Sequence, residues 1–147
     1  MTDRPIDLDD FGATLEQIIG SVGSRVQERL PEAVNAGVKE GAKEWRRNAR
    51  EAFPKDQTYR KHGKTYTSGA YAKSIRSHMV VKDGPMPSGE VGAPNMPGLP
   101  HLLEFGHAKS GGGRVPGREH IAPAAEVAFD ATERIVSEMV EGVLNDG

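Results

Sequence analysis

The chain has 147 residues, no cysteine, a net charge of −2 and only 36% apolar residues, with a mean hydropathy of −0.56. That is enough for one domain with a modest core, and it excludes a disulfide framework and thiolate chemistry. The opening MTDRPIDLDD has neither the basic start nor the apolar stretch of a secretory signal, and no apolar run approaches the roughly 20 residues of a membrane span.

A chain kept in water is therefore expected, with 1–147 as a single domain and 1–10 as a flexible N-terminus. From Phe11 the apolar residues Leu15, Ile18, Ile19, Val22, Val26, Leu30, Val34, Val38, Trp45, Ala49 and Phe53 recur in steps of three and four, the helical period. Pro54 ends this helix, and Pro31 inside it should kink or split it. Residues 56–68, DQTYRKHGKTYTS, show no period and read as a basic, aromatic loop. Ala70 to Ser74 can form a short helical turn capped by Thr67 or Ser68. SIRSHMVVK (74–82) alternates as a strand, DGPMPSG (83–89) is a turn, and EVGA (90–93) is the return strand. HLLEF (101–105) reads as the next strand, ended by Gly106. Residues 107–120, HAKSGGGRVPGREH, read as a loop with little to bury. Ile121, Val127, Ala128, Ala131, Ile135, Met139, Val140, Val143 and Leu144 trace a final helix that tolerates Pro123 in its first turn.

This order predicts an α+β fold, a small antiparallel sheet covered by a long N-terminal helix and a C-terminal helix, with long loops. Charge is segregated: 1–44 carry −4, 46–82 carry +8, 83–118 balance, and 119–147 carry −6. Such asymmetry suits a polyanionic partner or head-to-tail self-association in which acidic end meets basic middle.

The histidine-rich stretch does not read as a metal site. On a strand His101 and His107 share a face that Glu104 does not, whereas zinc needs three or four converging ligands. SGGGR lacks the lysine and following helix of a phosphate-binding loop, and no nucleophile signature accompanies the histidines. No enzyme, metal or cofactor is expected. YRKHGKTY (59–66) interleaves Arg60, Lys61 and Lys64 with tyrosines, a combination that meets phosphates and stacks on bases. A nucleic-acid-binding protein using 55–82 is therefore the alternative function, and DNA or an acidic protein neighbour is the expected partner of those three cations.

LLEFG (102–106), a glycine-rich polar loop, then IAPAAE (121–126) resemble the siphophage neck and tail-completion proteins, distantly including the lambda Z type. In that family a Y-x-E-F-G-T strand precedes a variable loop and a helix start of the form hP-F-L-x-P-A. Leu103, Glu104, Phe105 and Gly106 match the first motif; Ile121, Ala122, Pro123 and Ala124 match the second, with Ile–Ala for Phe–Leu. TSGAYAKSI (67–75) and GEVGA (89–93) are similar to the family's T-G-x-L-x-x-S-I and x-V-G segments, and AREAFP (49–54) to its run-in. His107 stands where threonine is common, and the basic loop 55–66 is longer than usual. The resemblance implies a non-catalytic virion protein made in the host cytoplasm. It would form a ring, six-fold like the tail, at the head–tail junction, beside head-completion, tail-terminator or tail-tube proteins and around the DNA channel. Glu104, Gly106, His107, Lys109, Arg114, Val115 and Arg118 are its expected interface residues. The loop 107–119 is expected to order only against a neighbour.

Overall fold

The structure is a computed structural model that describes residues 8–53 and 58–146. Helix α1 (Leu8–Ala52) is one helix of 45 residues, about 68 Å long at 1.5 Å per residue. It runs unbroken through Pro31, so the expected split does not occur. The residues around the proline are held by packing, with Leu30 half-buried and Ala33 fully buried, and this outweighs the lost hydrogen bond. Residues 1–7, most of the expected flexible terminus, lie outside the described residues.

Helix α4 (Ala122–Asp146) packs antiparallel along the C-terminal half of α1, and small residues set the approach. A Cβ on Gly41 would lie 2.7 Å from the Ala128 Cβ, and one on Gly37 would overlap the Thr132 hydroxyl. Ala33, Gly37 and Gly41 recur every four residues on α1, as do Ala124, Ala128 and Thr132 on α4. Residues four apart share a helix face, so two smooth stripes meet and the backbones come close.

The strands form three separate antiparallel hairpins rather than one sheet. These are β1 (Thr58–Lys61) with β2 (Lys64–Thr67), β3 (Arg76–Val81) with β4 (Ser88–Gly92), and β5 (Gly106–Ala108) with β6 (Arg114–Pro116). The α+β arrangement and the β3–β4 pair are as the sequence predicts, and α2 (Ser68–Ser74) is the expected helical turn. Three segments differ. The loop read at 56–68 is largely the β1–β2 hairpin, because His62 and Gly63 take φ of 50° and 76° and make the tight two-residue turn that a hairpin needs. The strand read at 101–105 is instead helix α3 (Leu99–Phe105), started by Gly98 with φ 79° and a proline in its first turn. The loop read at 107–120 contains β5 and β6.

The core gathers where α1 meets α2, α3 and the start of α4. Tyr71 and Ile75 are completely buried, among Trp45, Met96, Leu99 and Ala124. No helix among the described residues is long and apolar enough to cross a membrane.

Candidate functional site

The seven expected interface residues converge on one place, the junction of α3, the β5–β6 hairpin and the start of α4. Glu104 and Phe105 are neighbours on α3 and point opposite ways. Glu104 is 8% exposed and Phe105 63% exposed, the reverse of what a strand with Phe105 facing the core would give. The helix explains it, since successive residues turn by about 100°, and α3 puts Leu99 and Glu104 inward.

The Glu104 carboxylate accepts hydrogen bonds from the backbone N–H groups of His120 (2.7 Å), Ile121 (2.9 Å) and Ala122 (3.1 Å). These are the orphan donors at the start of α4, so a side chain sixteen or more residues upstream caps that helix and places a negative charge at its positive end. His120 Nδ1 lies 2.8 Å from Glu104 Oε2 and 2.8 Å from the Arg118 carbonyl. Both neighbours are acceptors, so Nδ1 carries the proton. The other ring nitrogen, Nε2, lies 2.8 Å from the Tyr71 hydroxyl, and Trp45 Nε1 donates to that hydroxyl at 3.0 Å. The assignment that satisfies every group runs from Trp45 to Tyr71 to His120 to Glu104, each donating to the next. Phe53 packs edge-on against both the Tyr71 and the His120 rings. Burial pushes the Glu104 carboxyl up, but the three backbone donors and the neighbouring His120 imidazole pull it down, and the net direction is downward.

The network leaves no catalytic face. His120 is completely buried, its backbone carbonyl accepts from the Asn48 amide, and both ring nitrogens are engaged. Nor do His101, Glu104 and His107 gather on a cation: Glu104 is committed inward, His101 stacks on Phe105 with ring centroids 4.8 Å apart, and no group of three metal-ligating side chains could hold an ion among the described residues.

What the network does is fix the hairpin. Gly106, with φ 80°, leaves α3 where any side chain would strike the Val115 carbonyl. His107 pairs with Val115, and Ala108 with Arg114. Gly111, Gly112 and Gly113 all take positive φ and close the tip, with Lys109 N–H donating to the Gly113 carbonyl at 3.0 Å. At the base, Arg118 N–H donates to the Leu103 carbonyl at 2.8 Å, and the Arg118 guanidinium donates to the Ala52 carbonyl and lies over the Phe53 ring. Arg114 donates to the Phe105 carbonyl at 3.0 Å. Lys109, Arg114 and Arg118 are exposed, and His107 and Val115 are half-buried. The His107 Nδ1 atom is buried without a hydrogen-bond partner among the described residues.

Arg60, Lys61 and Lys64 lie apart from this junction, at the end of the β1–β2 hairpin, where Lys61 pairs with Lys64. Arg60 is exposed. Sequence reasoning missed the roles of Trp45, Tyr71 and His120 and the capping role of Glu104.

A family model described as "Bacteriophage HK97-gp10, putative tail-component" matches residues 14–106. The match thus runs through α1, the first two hairpins and α3, and stops at Gly106. No curated protein matches the chain, and no solved structure matches it.

Proposed function

The chain belongs to the HK97 gp10-like family of bacteriophage tail components, and from that premise we propose that it forms a ring at the head–tail junction that joins tail to head and bounds the DNA channel. It is a structural protein of the virion. The observation that carries the finer reading is the use of the α3 junction: Glu104, Arg114 and Arg118 hold a basic hairpin and an exposed aromatic ring at the surface, as a contact surface requires. The role is non-catalytic, because the buried titratable pair Glu104–His120 is spent on capping α4. The ring is six-fold, matching the tail, and sits against head-completion, tail-terminator or tail-tube proteins. Arg60, Lys61 and Lys64 form a turn end that suits phosphate contact in the channel. A phage with the gene disrupted tests this. Filled heads and separate tails that fail to join are expected, with rescue by the gene in trans, whereas normally joined, infectious particles would overturn the reading.

A further inference from the structure

Two surfaces of the chain are complementary to each other. The first is a knob: Leu102 and Phe105 are exposed on the outer side of α3, with His101 stacked on Phe105. Arg114 donates to the Phe105 carbonyl, and Lys109 and Arg118 are the other exposed cations of the segment that follows. The second is a groove of about 340 Å³ between α1, β4 and α4, lined by Val34, Val38, Val91, Ile121, Ala128 and Phe129. This volume lies in the range that takes an aromatic group.

The face of α4 just beyond the groove is acidic for a helical reason. Ala125, Ala128 and Thr132 line the groove, and Phe129, 75% exposed, stands at its lip. At about 100° per residue, Glu133, Glu126 and Asp130 follow Phe129 around the helix, away from the groove. All three are exposed, and Glu90 forms part of the opposite wall. Among the described residues the ion pairs are Arg29–Glu32, Arg47–Glu44, His78–Glu90 and His120–Glu104. The three knob cations and the three α4 acids are in none of them.

We propose that the groove receives the Phe105 knob of a second copy of this chain, with Lys109 and Arg114 of that copy facing Glu126 and Glu133 beside Phe129. The contact joins two different patches of the same molecule, so it is heterologous, and repeated copies close into a ring if the rotation permits. Apolar burial of the two phenylalanines supplies the affinity, and the charges supply register and exclude the reversed orientation. The inference rests on the ring reading and gives it an interface. The hairpin, rather than the basic 46–82 segment, is the partner of the acidic helix.

The absence of native cysteine makes the test clean. A chain carrying both Arg114→Cys and Glu133→Cys, which keeps both phenylalanines, should give a ladder of covalent oligomers when mildly oxidised. Either single substitution alone should give none, and mixing the two should give dimers. Arg114→Glu should weaken self-association about ten-fold, and adding Glu133→Arg should recover it. Both phenylalanines are exposed in the single chain, so Phe105→Ser should melt like the parent yet associate at least about 30-fold more weakly. A chain that self-associates with no ladder and no response to charge reversal overturns the contact while leaving the ring standing. A chain that remains monomeric, or a Glu133→Cys chain that cross-links only to another virion protein, also overturns it. The head–tail joining role is decided separately, by the gene-disrupted phage.

Discussion

Within seven residues α3 divides its chemistry against the usual preference, burying a carboxylate and exposing a phenyl ring. The inner side, through Glu104, is tied to His120, Tyr71 and Trp45. The outer side, through Leu102 and Phe105, touches no other part of the core. A buried charge is tolerated only with its hydrogen bonds complete, and here three backbone donors and an imidazole complete them. An exposed aromatic ring costs little in the single chain and becomes useful when something covers it. The inner face therefore determines whether the junction forms, and the outer face what the junction meets.

Breaking the inner side should have the largest effect. Glu104→Ala leaves three N–H groups without their acceptor and the His120 Nδ1–H with the Arg118 carbonyl alone, and should cost about 3–5 kcal/mol in urea unfolding. A loss under about 1 kcal/mol would mean that water replaces the cap. The same carboxyl sets an acid limit. Its folded pKa lies below the ordinary 4.5, so its contribution is complete above that value and is lost as pH falls through the folded pKa. The stability gap between the parent and Glu104→Gln should hold steady from pH 7 to about 5 and narrow below about 4.5. A gap that widens toward acid would reverse the assignment.

Next comes the approach of the two long helices. Gly41→Val puts branched methyl groups where a single Cβ already stands 2.7 Å from Ala128, and should cost about 2–3 kcal/mol. Shortening the opposing residue with Ala128→Gly should return part of it. Tyr71→Phe removes the hydroxyl between Trp45 and His120 and leaves a buried donor and acceptor unpaired, for about 2 kcal/mol. The smallest effect belongs to the far hairpin: Arg60→Glu with Lys64→Glu should shift stability by no more than about 0.5 kcal/mol per substitution. A larger loss would make that turn end part of the fold.

How much of this was legible follows from distance along the chain. The long helices announced themselves by period, and β3–β4 by alternation around a proline- and glycine-rich turn. The seven residues of α3 span two turns, too few for a helical stripe to stand out against the strand-like HLLEF, although Gly98 and Pro100 marked its start. The close helix contact was written in Ala33, Gly37 and Gly41 and in Ala124, Ala128 and Thr132, a spacing that a search for apolar residues passes over. The buried network was not legible by such means. Its links join residues 26 and 49 apart, a separation only the folded chain closes. The E-F-G motif did single out Glu104 and Phe105, but not which of the two faces inward.

If α3 folds with one face and assembles with the other, one substitution separates the two. Phe105→Ser should be purified, melted, and used to complement a phage lacking the gene. A melting temperature within a degree or two of the parent, with heads and tails left unjoined, is the predicted result. Full complementation by that variant would contradict it.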